Sequence, residues 1–224
     1  IPMILVNGSK GIGTGFSTDI MCYNPLTIID YLVSFLNNDI NKPILRPYYK
    51  NFKGQIIKLT ESKWLFKGCY ERTKNKEIRI TELPIGIWTD DYKKFIEDLI
   101  DGNKTTKGKK KQSIIKDYND MSTDIIVDIT IIFSSESKLD DLLNKKVDEN
   151  CNELEKLLRL YTTKTTTNMH LFDENEKLKK FKTPMEIIEH YIDIRLNTYV
   201  RRKKYLIKIL EQKTKILINK VKFI

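Results

Sequence analysis

IPMILVNGSKGIGTGFS, residues 1–17, with Tyr23-Asn24-Pro25 close behind, is the stretch on which the reading of this chain turns. Residues 1–6 form an apolar run rich in β-branched side chains, which predicts a buried strand. Gly8, Gly11, Gly13 and Gly15 then break it, four glycines within eight residues, so the backbone must turn tightly or pass close to something. Ile12 stands between two of those glycines with Lys10 nearby. An apolar tip on such a loop needs a pocket in the core; beside positive charge it equally suits insertion between stacked bases. A nucleotide cradle is disfavoured, because the loop lacks the terminal Gly-Lys-Ser/Thr of a P-loop and the glycine spacing of a Rossmann turn.

Downstream, Asn24 is a good helix cap and Pro25 suits a first helical turn, so Leu26 to Leu36 is expected to be helical. Gly54 to Leu59, Lys63 to Tyr70 and Glu77 to Leu83 read as strands of an antiparallel sheet. Thr89 is placed to cap a helix ending near Ile100, with Asp90 and Asp91 at its positive end. Lys104 to Lys111, five lysines in eight residues, reads as a mobile basic loop. Asp124 to Phe133 reads as a strand, and Lys138 to Leu158 as a polar helix or helix pair. Thr162 to Asn168 reads as a threonine-rich turn, and Met169 to Phe172 as a short strand. From Met185 onward, behind Pro184, helical character is unbroken, with Ile188, Tyr191, Tyr199, Leu206 and Ile209 or Leu210 as a narrow apolar seam.

The 224 residues carry 40 Lys+Arg against 30 Asp+Glu, a formal charge of +10, which fits a polyanionic partner. A hydrophobic content of 40% excludes wholesale disorder. Cys22, Cys69 and Cys151 are far apart and only two histidines are present, so neither a disulfide framework nor a metal-ligand cluster is expected. No apolar run reaches membrane-spanning length, and no signal-peptide pattern opens the chain. It begins with Ile inside an apolar run and ends in an unfinished helical pattern, so it is expected to be part of something longer.

Five ordered blocks carry a resemblance: the glycine loop with Tyr23-Asn24-Pro25; Lys50-Asn-Phe-Lys-Gly54; Ile80-Thr-Glu-Leu-Pro84 with Trp88-Thr89; Asn168-Met-His-Leu-Phe-Asp173; and Tyr191 to Lys203. Together they resemble type IIA DNA topoisomerases of the eukaryotic and large-DNA-virus kind, in the region that follows the winged helix. The resemblance implies an α/β (α+β) tower domain with an antiparallel sheet, followed by a long coiled-coil helix. Residues 1–13 would end the winged-helix region and hold the DNA-bending loop, residues 14–184 would be the tower, and residues 185–224 the first, truncated helix of the arm. It implies double-stranded DNA as partner, and a homodimer using Mg2+ and ATP in the full-length enzyme, with no cofactor bound by this portion. The location would be the nucleus of a cellular eukaryote, or the host cytoplasm or virion of a large DNA virus.

On this resemblance Ile12 falls on the isoleucine that wedges between base pairs and bends the gate DNA, with Lys10, Thr14 and Ser17 beside it for phosphates. Trp88 falls at the DNA surface. Arg159, Leu160, Tyr161, Thr162, Thr163, Lys164, Thr165, Thr166, Thr167 and Asn168 form a DNA-contacting segment whose hydroxyls and amides suit phosphates rather than base edges. The solvated-turn reading of that segment is the bland alternative. The sequence departs from the family at Gly86, where a basic residue is common, at Phe16, where tryptophan is frequent, and at Met21, where proline is frequent. No catalytic residue is expected here: the cleaving tyrosine follows an arginine upstream of residue 1, and Arg46-Pro-Tyr48 and Arg159-Leu-Tyr161 are decoys. Asp90-Asp91 and Asp140-Asp141 read as helix-end charges rather than metal ligands. The rival reading is a non-catalytic DNA-architectural module using the same wedge.

Overall fold

The computed structural model describes residues 1–101 and 114–224; the Lys104–Lys111 run lies outside the described residues. The fold mixes helices with antiparallel sheets and closes on a long helix, the class the sequence predicts. Two compact units are present, one of residues 1–49 and 166–224, the other of residues 50–165. Residues 14–49 and 166–184 of the expected tower thus group with the first unit.

In the first unit the opening apolar run is a short helix, α1 (Met3–Asn7), in place of the expected strand. Tertiary context overrides the β-propensity of the run. Leu5 is fully buried and its carbonyl accepts from Tyr23 N at 2.7 Å, while Pro2 opens the turn. Gly8 ends it at φ +67°, where an added Cβ would sit 2.8 Å from the Ile20 carbonyl oxygen and 2.9 Å from Cys22 Sγ. Then comes an antiparallel hairpin, β1 (Ser9–Gly13) and β2 (Phe16–Ile20), turning at Thr14-Gly15.

Helix α2 (Pro25–Leu36) matches its sequence signal: Asn24 Oδ1 accepts from Leu26 N, Pro25 takes the first turn, and Ile28 and Tyr31 are buried.

The second unit holds two sheets. β3 (Gln55–Lys58), β4 (Lys63–Lys67) and, from much later in the chain, β9 (Tyr161–Thr165) make one, in the order β3-β4-β9. The expected single strand Lys63–Tyr70 breaks at Gly68, whose N–H donates to the Leu160 carbonyl. β5 (Cys69–Lys74), β6 (Glu77–Glu82), β7 (Ile115–Asp120) and β8 (Ile129–Phe133) make the other, in the order β5-β6-β8-β7.

Alternation along β6 and β8 buries Ile78, Ile80, Ile129, Ile131 and Phe133 on one face. Helix α3 (Thr89–Asp101) covers that face with Tyr92 and Ile96; α4 (Glu136–Asn144) adds Leu139, and α5 (Glu153–Leu157) adds Leu154. On the other side Arg79 grips Asp128 with two bonds, Nε to Oδ1 at 2.8 Å and an Nη to Oδ2 at 2.7 Å.

The strand expected from Asp124 begins only at Ile129, because residues 121–128 close a loop. Met121 N donates to Asp128 O, and Asp128 N donates to Ser122 Oγ. The buried Glu155 pairs with Lys67 at 2.8 Å and also closes the α5 capping box with Asn152.

The first unit resumes with the hairpin β10 (Met169–Phe172) and β11 (Leu178–Phe181), then helix α6 (Pro184–Phe223). Thr183 Oγ1 accepts from Glu186 N, Pro184 takes the first turn, and Ile187, Ile188 and Ile192 are buried. Tyr31 Oη donates to Glu189 Oε1 at 2.8 Å, fixing α2 against the base of α6. From Arg201 on, every residue except the half-buried Ile209 is exposed. Among the described residues no helix is long and apolar enough to cross a membrane.

Candidate nucleic-acid interface

In the first unit the hairpin carries Ile12 next to its turn, opposite Ser17. Ile12 is 90% exposed, so it fills no pocket of the folded chain and the core alternative falls. Lys10 and Thr14 are exposed as well.

What holds the hairpin is a set of bonds from the chain around β10, more than 140 positions later in sequence. Asp19 N donates to Asn168 O at 2.8 Å, and Asn168 Nδ2 donates to Ser17 Oγ at 2.8 Å. His170 Nδ1 lies 3.0 Å from Ser17 O and 3.1 Å from Asn168 Oδ1. Both partners are acceptors, so the imidazole carries its proton on Nδ1. Phe16 meets Phe172 edge-on with ring centroids 5.9 Å apart. Ser17 and Asn168 are therefore half-buried braces of the loop, their first hydrogen bonds already committed to each other.

Phe16 thus packs against Phe172, and Met21 is buried. The bracing role of His170 is not among the sequence expectations. A signal for it exists: His170 sits two positions after Asn168, on the same side of an extended segment.

In the second unit the segment expected as a threonine turn is mostly strand β9, because it pairs residue for residue with β4 from Tyr161↔Lys67 to Thr165↔Lys63. Strand alternation sorts the candidate contacts. Thr163 and Thr165 are exposed, Lys164 is half-buried, and Thr162 Oγ1 is committed to the Ile85 carbonyl at 2.9 Å. Burial pushes the phenol of Tyr161 above its ordinary pKa. Leu160 is fully buried, its N–H given to Glu155 O and its carbonyl taken by Gly68 N, so it offers nothing to a phosphate. Thr166 is buried and Thr167 exposed, both in the first unit.

Trp88 is 76% exposed, and its carbonyl accepts from Tyr92 N as the first turn of α3 forms. With Tyr92, Phe95, Asp91, Ile87, Gly86 and Arg159 it lines a shallow cavity of about 190 Å3. The Arg159 guanidinium carbon stands 4.1 Å from the centre of the Phe95 ring. Gly86 sits at φ +93° with open space around it. A basic side chain there would have to adopt a left-handed backbone, which disfavours L-residues by about 1–2 kcal/mol. Candidate residues therefore gather in two groups, one in each unit. Of the decoy tyrosines, Tyr161 lies within electrostatic reach of Cys151, Asp148 and Glu155; among the described residues no group of three His, Cys, Asp or Glu side chains is arranged to hold a metal ion.

The candidate contacts thus comprise an exposed isoleucine on a braced hairpin in the first unit, and exposed basic and aromatic residues in the second. All 224 residues match the family model for DNA gyrase/topoisomerase IV, that of its A-type subunit, and the chain belongs to that family. It is 40% identical to the DNA topoisomerase 2 of Plasmodium falciparum over 224 residues, covering all of this chain and 15% of that protein. It is 35% identical to that of Acanthamoeba polyphaga mimivirus, covering all of this chain and 21% of that protein. The chain thus spans about a fifth or less of the length of these relatives. The fold matches the crystal structure of the Plasmodium falciparum topoisomerase II DNA-binding, cleavage and re-ligation domain with a TM-score of 0.83 at 38% identity, covering 95% of this chain and 27% of that one.

Proposed function

We propose that this chain grips and bends the gate duplex in an ATP-dependent type II DNA topoisomerase, which breaks and rejoins both strands to pass a second duplex. Ile12 carries the reading: it is 90% exposed at a braced hairpin, so folding gives no reason for an apolar side chain there. Inserted between base pairs, it holds a kinked step open while Lys10 and Thr14 approach the adjoining phosphates. Trp88, Arg159, Thr163 and Thr165 supply the second set of contacts, which are sequence-independent because they meet the backbone. Residues 1–13 then end the winged-helix region, the tower follows to residue 184, and α6 begins a coiled-coil arm of a homodimer.

The chain's own steps are mechanical. In this reading Mg2+ and ATP are held by other segments of the enzyme, where the cleaving tyrosine also lies, and the described residues present no set of ligands for a metal. The compartment follows the source: the nucleus for a cellular eukaryote, or the host cytoplasm or the virion for a large DNA virus.

The test replaces Ile12 with Ala in the complete enzyme. DNA affinity should fall little, whereas bending, read by end-to-end fluorescence transfer on a short duplex, and strand cleavage should fall much more. Smooth bending of a site of this size takes on the order of 1–6 kcal/mol, which the wedge helps supply. Normal bending by Ile12→Ala would refute the wedge. A complete protein that bends DNA through Ile12 but lacks an upstream Arg-Tyr winged helix and cleaves nothing would favour an architectural module instead.

A further inference from the structure

Helix α5 ends in a Schellman turn. Arg159 N donates to Lys156 O at 3.3 Å and Leu160 N donates to Glu155 O at 2.8 Å, the two bonds that define the motif. The position between them needs a left-handed backbone and is ordinarily glycine; here it is Arg159, at φ +51°. A long cation in a strained position calls for a reason, since such strain concentrates where a side chain must be aimed.

Helix α3 supplies the aiming device. Trp88, Tyr92 and Phe95 recur at helical spacing on one face. The Tyr92 hydroxyl, kept protonated by burial, donates to the Leu158 carbonyl at 2.8 Å and pins the residue just before the turn. Phe95 lies beneath the exposed guanidinium of Arg159 at 4.1 Å. A planar guanidinium over an aromatic face keeps its N–H edges directed outward, ready for two phosphate oxygens.

We infer that Phe95 is a positioning residue, holding Arg159 as a preformed phosphate clamp next to Trp88 on the DNA-facing surface. This rests on the proposal that this face meets duplex DNA, and the two can fail separately.

The test measures duplex affinity of the 224-residue chain against salt concentration. Arg159→Gln should flatten the slope of log K against log salt by about 0.9, one phosphate contact. Phe95→Leu, which keeps apolar packing and removes the ring face, should weaken binding about two- to fivefold while Arg159 is intact. Phe95→Tyr should restore it, and Phe95→Leu combined with Arg159→Gln should bind no worse than Arg159→Gln alone. If Phe95→Leu lowers the melting temperature, Phe95→Met repeats the comparison at conserved volume. An Arg159→Gln protein with unchanged affinity and slope would sink the DNA-facing assignment of this surface. Weakened Arg159→Gln beside unaffected Phe95→Leu, or additive losses in the double variant, would overturn the positioning role alone.

Discussion

The Asn168 amide donates to Ser17 Oγ across 2.8 Å, joining residues 151 positions apart in the chain. That bond, with Asp19 N to Asn168 O and the forked contact of His170, makes the Ile12 hairpin a rigid projection instead of a loose loop. Asn168→Ala removes the side-chain bonds and leaves the hairpin backbone paired. A loss of about 1 kcal/mol of stability is expected, with faster hydrogen exchange at Lys10 and Ile12 and weaker DNA bending. Unchanged exchange would show that the brace does not rigidify the loop.

Tyr92→Phe should cost more stability than its small size suggests. The Leu158 carbonyl would lose its buried donor, a penalty of about 1–3 kcal/mol, read as a lower denaturant midpoint with an unchanged slope.

Arg159→Gly should separate fold from function in the opposite direction. Glycine relieves the left-handed strain at the end of α5, so thermal melting should be no lower than in the parent chain, while duplex affinity falls. A marked loss of stability would mean that the Phe95 contact dominates the local energetics.

Glu155→Ala takes the carboxylate from the half-buried Lys67, whose ammonium keeps its bond to the Asn150 carbonyl, and also breaks the α5 capping box. Loss of a cap costs about 0.5–2 kcal/mol, and the lost ion pair, whose cation keeps one partner, adds to it without reaching the penalty of a fully uncompensated buried charge. Urea denaturation should register a loss of that order, and Lys67→Met combined with Glu155→Leu should recover much of it.

Acid stability should follow Asp128. Its hydrogen bonds from Arg79 hold the carboxyl below its ordinary value of 3.8. A depressed folded-state pKa contributes stability that is present above the unfolded value, near pH 4, and disappears as pH falls through the folded value. Asp128→Asn should therefore flatten the stability profile below about pH 4 and change little in its shape near neutrality.

Sequence signals are readable where local chemistry and burial agree. Asn24 and Pro25 announce α2, Thr183-Pro184 and the absence of breakers announce α6, and the exposure of Ile12 and Trp88 accords with surface roles. They fail where long-range pairing decides. Residues 1–6 look like a strand, but a helical turn buries Leu5 and sets its carbonyl against Tyr23 N. Residues 162–165 look like a turn until β4 claims them, whereas β7 and β11, each paired with a neighbouring strand, are missed because their polar composition hides the strand alternation. Leu160 stands between Arg159 and Tyr161, and nothing in its immediate neighbours reveals that the turn ending α5 directs it inward. Phe95 gives no sign of its place under Arg159, since helical spacing alone cannot say what crosses above a face.

The buried side chains of the 40-residue helix α6 all lie in its first turns, at Pro184, Ile187, Ile188 and Ile192, where Glu189 also accepts from Tyr31. At 1.5 Å per residue it extends roughly 60 Å, so a tilt of about 5° at the anchored end sweeps the far tip through about 5 Å. A change of packing at the root no larger than a side-chain rearrangement thereby becomes a stroke as wide as a helix radius. The helix is a lever whose fulcrum is its buried root.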